Sequence, residues 1–398
     1  KHNHTNMHPS EHLRGSKGTD LEGKKIILGV TGSIAAVECV KLIRELVREG
    51  AEVHCVMTDW ATKIVHPYSL EFASGNKPIT ELTGQVEHVS LCGKVPDKAD
   101  LFLIAPATAN TVSKIAQGID DTPVTTFATT CIGSDIPIVI VPAMHQSMYE
   151  HPIVMDNLEK LQKRLDVRVV GPKIEEGAAK VAERDEIVDA VVRRLNPQLK
   201  GKKITVITGR PEEPIDTMRV ITNKATGKSG IEIAKRAYRR GADVKLLYAN
   251  VDEKVPQWIP NQEFNQMSDL YDTVEKIEGI VIVPAALSDF TVKEKSGEKI
   301  SSSKGFSLDL EPIPKFIDKI REKADYLVAY KAEDSREKAV EKAKKMVKEN
   351  RADIVVANSL EDVSYEENKV YLTISDEWIE GSKREIADRI LDYLESEL

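Results

Sequence analysis

The chain lacks the spacings that mark a metal site or a disulfide framework. Its four cysteines, Cys39, Cys55, Cys92 and Cys131, form no Cys-x-x-Cys pair and all lie in the first half. That usage fits a reducing compartment and predicts a cytoplasmic protein. No apolar run approaches the roughly 18–20 residues that a membrane-spanning helix needs, and no basic-then-apolar secretory leader is expected. A basic excess is missing too. The formal charge of −8 argues against a nucleic-acid surface and leaves room only for local phosphate pockets. A Gly-x-Gly-x-x-Gly turn is absent, which counts against a reductase that binds NAD(P).

What remains is an apolar pattern broken into short pieces. With 398 residues, two domains are expected. Residues 1–20 read as a flexible arm: His2, His4, His8 and His12 crowd it, and Met7 is a candidate internal start. From Lys24 onward, short aliphatic runs alternate with helical spacing. Strands are predicted at Lys25–Val30, Ala51–Met57, Leu101–Ala105, Ile136–Val141 and Val167–Val170, with helices over Ile34–Arg48 and Arg184–Leu195. Such alternation predicts a parallel sheet covered on both faces. Asn196-Pro197-Gln198 breaks the pattern, which then restarts. Gly201-Lys202-Lys203-Ile204 echoes Gly23-Lys24-Lys25-Ile26, and Val281 to Ala285 echoes Leu103 to Ala107. Shared turn chemistry explains the echoes without duplication. The expectation is α/β: two doubly wound parallel-sheet domains over residues 21–197 and 198–398, with ligands at the carboxyl ends of the strands.

In the first domain, polar and small residues follow each strand. Thr31-Gly32-Ser33-Ile34-Ala35-Ala36 is a tight turn opening a helix, suited to one phosphate or simply to capping. Ala105-Pro106-Ala107-Thr108-Ala109-Asn110 lets a flat ring approach the backbone, or caps a helix. Pro142-Ala143-Met144-His145 begins a third such turn, and His88 is either catalytic or structural. Together these motifs resemble the flavin-dependent cysteine decarboxylases that include phosphopantothenoylcysteine decarboxylase, over residues 24–195. The resemblance implies a flavodoxin-like domain binding FMN, with Gly32 and Ser33 near its phosphate and Thr58, Thr108 and Asn110 near the flavin. It implies that His88 is the active-site histidine. Two departures stand out. His145 occupies the family's carboxylate-holding Asn position. The stretch Glu175 to Val181 also lacks the flap cysteine that donates the last proton.

In the second domain, Thr208-Gly209-Arg210-Pro211-Glu212-Glu213-Pro214-Ile215-Asp216 follows a strand. Ile221-Thr222-Asn223-Lys224-Ala225-Thr226-Gly227-Lys228-Ser229-Gly230 opens a helix but lacks the first glycine of a P-loop. Ala285-Ala286-Leu287-Ser288-Asp289 follows another strand. Glu298-Lys299-Ile300 sits in a polar segment, where Lys299 is a lid residue or an ordinary surface lysine. This order of motifs resembles phosphopantothenate–cysteine ligase across residues 201–398, with Thr222 in place of a serine and Ser359 in place of an aspartate. The resemblance implies a Rossmann-like domain in which Asp289, Lys299, Tyr330, Lys344 and Lys348 contact the nucleotide. Asn223 would donate hydrogen bonds to the activated acyl group. Decarboxylase followed by ligase resembles the bifunctional enzymes of coenzyme A biosynthesis, archaeal type. Their substrates would be 4′-phosphopantothenate, cysteine and CTP, joined through an acyl-cytidylate with Mg²⁺ and then decarboxylated on FMN. A homo-oligomer with sites at subunit interfaces is implied. The alternative is an active ligase whose flavin half only regulates or scaffolds.

Overall fold

The computed structural model describes residues 7–303, 305–362, 364 and 367–397; His2 and His4 lie outside the described residues. Its contacts divide the chain into two compact units, Lys1–Asn196 and Pro197–Leu398.

The first unit is built on one parallel sheet. Its strands are β1 (Lys25–Val30), β2 (Glu52–Met57), β3 (Leu101–Ala107), β4 (Ile138–Pro142) and β5 (Val167–Val169), in the order β2-β1-β3-β4-β5. This is the flavodoxin-like order, which reverses direction between β1 and β3. Every residue of β3 is buried, as expected of a strand covered on both faces. Ile26, Leu28, Leu101 and Leu103 face one layer, and Ile27, Phe102 and Ile104 face the other. Gly29 of β1 leaves room for a neighbour: a methyl there would lie 2.9 Å from the Phe102 ring.

The expected helix over residues 34–48 forms in two parts, a 3₁₀ turn (Ile34–Glu38) and an α-helix (Cys39–Arg48). The helix Arg184–Leu195 forms with the bounds read from the sequence. The amino-terminal segment departs from a flexible arm. Pro9–Leu13 is a short helix capped by His8, with Ser10 buried, and Leu21 is fully buried. Gly15 N–H donates to Val47 O at 3.0 Å, so this segment packs on the end of the 39–48 helix.

The second unit repeats the plan and extends it. Strands β6 (Lys203–Gly209), β7 (Asp243–Ala249), β8 (Asn261–Glu263), β9 (Ile280–Val283), β10 (Tyr326–Glu333), β11 (Ile354–Ser359), β12 (Glu367–Leu372) and β13 (Glu377–Ser382) form one sheet. The order is β8-β7-β6-β9-β10-β11-β12-β13. The two halves share their central pairing: Ile26 is opposite Val53 and Leu101, as Ile204 is opposite Val244 and Ile280. The last two strands are antiparallel, which the expectation of a purely parallel sheet did not include. They belong to a tight hairpin, Val370 opposite Ile379, that needs no helical crossover. No described helix is long and apolar enough to cross a membrane.

Phe102 is among the largest fully buried side chains, at 0% exposure. Truncating it removes its contacts with Gly29 and Phe127 and leaves a cavity. Phe102→Ala should therefore cost about 3–5 kcal/mol, read as a lower urea midpoint at unchanged slope. A loss below about 1 kcal/mol would mean that the layers close over the gap.

Candidate functional site

Parallel strands release their chains at one edge, so the motifs of the first unit converge there. The buried Thr31 ends β1. Its hydroxyl donates to Pro106 O at 2.7 Å and accepts from Thr108 N–H at 3.0 Å. This one side chain ties the Gly32-Ser33 turn to the Thr108-Asn110 turn. Gly32 is fixed by space: a methyl there would lie 2.5 Å from Trp60 Cβ, so the turn after β1 closes onto the turn after β2. Ser33 caps the 3₁₀ turn through Ala35 N–H at 3.3 Å. Thr58, buried at the end of β2, caps Ala61 N–H at 3.2 Å, and Thr108 caps Thr111 N–H at 3.2 Å. The Ser33 and Thr58 hydroxyls keep a proton to donate to a ligand, whereas Thr108 donates its own to Thr111 Oγ1 at 3.2 Å. Asn110 is exposed in the first turn of the helix Ala109–Gln117.

His145 follows β4. It belongs to a small sheet, opposite Ala178 of the hairpin whose strands are Lys173–Glu175 and Ala178–Lys180. Its Nδ1 shares a proton with Ser147 Oγ at 2.9 Å, so Nε2 is the ring atom left for a ligand. The hairpin that lacks a cysteine does carry titratable groups. Lys180 pairs with Glu176 at 2.7 Å and Glu175 at 3.3 Å.

His88 lies in the short helix Glu87–Cys92, packed edge-on to Phe127 at 6.5 Å between ring centroids. The residue before that helix, Val86, has φ +47°, which a β-branched residue rarely adopts. His88 Nδ1 is buried and has no hydrogen-bond partner among the described residues. Such atoms are uncommon in folded proteins and call for a reason, commonly a bound group or catalysis. The hydroxyls of Ser33 and Thr58, with the backbone N–H groups at the strand ends, fit a phosphate-bearing flavin.

In the second unit a cavity of about 1200 Å³ opens at the carboxyl ends of β6, β9, β10 and β11. Asn223, Asp289 and Tyr330 line it. Burial pushes the Tyr330 phenol above its ordinary pKa, keeping it neutral. Asp289 pairs with Lys315. Asn223 Nδ2 donates to Ala286 O at 2.9 Å and Leu287 O at 3.0 Å, leaving Oδ1 as its unspent atom. Gly227 and Gly230 bring the following helix, Lys228–Arg239, close to β6: a methyl on Gly230 would lie 2.2 Å from Thr208 Oγ1.

The other three predicted residues are elsewhere. Lys299 is exposed and does not line the cavity. Lys344 pairs with Asp376 at 2.9 Å and sits 5.8 Å from the Tyr371 ring, and Lys348 is exposed. The same helix, Arg336–Lys348, turns Lys342 and Lys345 toward the cavity instead. The reason is helical phase: residues three apart share a face, and residue 344 lies well away from it. Arg210 was missed as well. It lines the cavity and pairs with Asp252 at 2.8 Å. Its place inside the Thr-Gly-x-x-Glu-Pro motif was the available signal.

Comparison with known proteins agrees with this division. Residues 14–196 match the flavoprotein family, and residues 199–398 match the family described as DNA/pantothenate metabolism flavoprotein C-terminal domain. The chain is 47% identical to the coenzyme A biosynthesis bifunctional protein CoaBC of Thermococcus kodakarensis, covering 98% of this chain and 100% of that one. The corresponding protein of Methanocaldococcus jannaschii is 36% identical, covering 97% of each chain. That of Borreliella burgdorferi is 32% identical over 94% of this chain and 99% of its own. Family matches over both halves, and 47% identity to a relative over nearly the whole of both chains, place this chain in the CoaBC family of bifunctional coenzyme A biosynthesis proteins.

Proposed function

We propose that the second unit makes 4′-phosphopantothenoylcysteine from 4′-phosphopantothenate, cysteine and CTP, and that the first unit decarboxylates it to 4′-phosphopantetheine. The chain is a bifunctional enzyme, a ligase and a carboxy-lyase, in coenzyme A biosynthesis. The observation that carries the reading is the pairing of an orphaned His88 Nδ1 in one unit with a large, lysine-bearing cavity in the other. A flavin half that only regulates has no use for an unpartnered buried imidazole.

A carboxylate is a poor electrophile for an amine, so the acid must first gain a leaving group. Transfer of a cytidylyl group from CTP to 4′-phosphopantothenate supplies it and releases pyrophosphate. Mg²⁺ enters with the triphosphate as part of the substrate, since this ion commonly keeps phosphate oxygens as ligands. Lys342 and Lys345 offset the triphosphate charge from the cavity wall. Lys299 reaches the α-phosphate from its loop and stabilises the charge that grows there. Asn223 then acts through Oδ1, accepting from the incoming cysteine amine. This reverses the donor role expected from sequence alone, because both of its N–H groups are already engaged.

In the first unit, Gly32, Ser33, Thr58, Thr108 and Asn110 hold FMN at the strand ends. When bound, FMN supplies the two-electron chemistry that lets the cysteinyl carboxylate leave as CO₂. His88 accepts or positions the proton of the reacting group. His145 holds the departing carboxylate through Nε2. The enzyme works in the cytoplasm as a homo-oligomer.

Two variants separate the steps. His88→Asn should lower decarboxylation roughly 10²–10⁴-fold while ligation proceeds. Phosphopantothenoylcysteine would then accumulate in a variant that keeps its flavin absorption. Equal loss of both steps in a folded variant would remove His88 from the mechanism. Lys299→Gln should slow pyrophosphate release by about 10²–10³-fold, even without cysteine. Supplied phosphopantothenoylcysteine should be decarboxylated at the parental rate. Normal pyrophosphate release would mark Lys299 as an ordinary surface lysine.

A further inference from the structure

Lys299 must act from a polar loop that is exposed along most of its length. A flexible lysine in solvent contributes little to a transition state, because ordering it costs conformational entropy. Something must therefore hold the loop. The structure supplies a clamp immediately beside it. Asp216 is fully buried at its side chain, and each oxygen accepts two hydrogen bonds. Oδ1 takes Met218 N–H and Arg219 N–H, both at 2.8 Å. Oδ2 takes Arg219 Nη1 at 2.8 Å and the N–H of Ile300, the residue after Lys299, at 3.0 Å. Arg219 Nη2 donates in turn to Ile300 O at 3.2 Å. Both backbone polar groups of Ile300 are thus pinned by one buried ion pair. Four residues earlier, Ser296 N–H donates to Ile215 O at 3.0 Å, fixing the other end of the segment to the same strand-end loop.

We propose that Asp216 is a positioning residue for nucleotide activation: it fixes the 296–300 segment so that Lys299 is held in one place when CTP binds. The proposal rests on the assignment of Lys299 to that step. Holding the backbone beside such a cation matters, for misplacement by about 1 Å is enough to cost roughly 10²-fold in rate. Burial works to raise the Asp216 pKa, but the Met218, Ile300 and Arg219 N–H donors and the Arg219 charge outweigh it. The carboxyl stays below its ordinary range. The clamp is lost only as pH falls below that range, so it remains charged wherever the enzyme is assayed, and substitution is the way to open it. Asparagine is nearly isosteric, but its amide must turn a donor toward one of the two donor pairs.

The test is a double-mutant cycle on the full-length protein. Pyrophosphate release from CTP, Mg²⁺ and 4′-phosphopantothenate is followed in single turnovers for the parent, Asp216→Asn, Lys299→Gln and the double variant. Asp216→Asn should slow release roughly 10²-fold, and the double variant should be no slower than Lys299→Gln alone. Trypsin should cut Asp216→Asn faster than the parent after Lys295 and Lys299, while decarboxylation of supplied phosphopantothenoylcysteine is unchanged. A double variant that loses the product of the two single effects would show Asp216 acting independently of Lys299 and overturn the proposal. Parental release or unchanged trypsin protection in Asp216→Asn would do the same. Parental release in Lys299→Gln would instead defeat the underlying assignment of Lys299. Asp216→Glu keeps the charge and shifts it by one methylene, so it answers the same question if the asparagine variant does not fold.

Discussion

The hydroxyl of Thr31 bonds across the ends of two parallel strands, to Pro106 O and from Thr108 N–H, and the first site hangs from that bridge. It can exist only because β1 and β3 run the same way and end at the same edge. Parallel strands in turn demand crossovers, and the crossovers cover both faces with helices. The second unit obeys the same constraint with a different bridge: Thr208, on the last turn of β6, donates to Gly227 O at 3.0 Å and holds the helix that begins at Lys228. Each unit thus turns strand direction into a row of loops at one edge of its sheet.

Much of this was legible in the sequence because burial on both faces leaves a strong signal. Lys25–Val30 and Arg184–Leu195 have the bounds that their aliphatic and helical spacing gave. Gly32, Thr108, His145 and Asp289 sit in segments that stand out because composition turns small and polar after a strand; their roles, and the choice of Thr58 and Asn223, came from the family resemblance. Helical phase was harder to read. Lysines crowd the helix Arg336–Lys348, and only packing against β10 and β11 decides that 342 and 345 face the cavity while 344 meets Asp376. Direction of hydrogen bonding was not readable at all. The carbonyls of Ala286 and Leu287 that engage Asn223 come from more than sixty residues away. The antiparallel pair β12 and β13 also escaped, since an amphipathic hairpin at a sheet edge does not carry the dense apolar run of a central strand.

The chemistry makes different demands on the two units. Activation of a carboxylate by a nucleotide needs cations that close on a triphosphate, and those cations must stay hydrated until the substrate arrives. The cavity of the second unit is lined by Lys342 and Lys345 of the helix Arg336–Lys348, despite a net charge of −8 for the whole chain. In the first unit one imidazole atom, His88 Nδ1, is buried without a hydrogen-bond partner among the described residues. Leaving such an atom unsatisfied costs stability. Where the flap cysteine is missing, the hairpin paired with His145 carries charge instead, Lys180 with Glu175 and Glu176.

The central claim is that one chain carries both reactions in sequence. The most direct measurement is a mass-resolved time course with 4′-phosphopantothenate, cysteine, CTP and Mg²⁺ added to the flavin-loaded protein. The account predicts a transient rise of 4′-phosphopantothenoylcysteine, followed by 4′-phosphopantetheine with equal amounts of CO₂, CMP and pyrophosphate. Accumulation of 4′-phosphopantothenoylcysteine with no loss of CO₂ would contradict it and reduce the first unit to a scaffold.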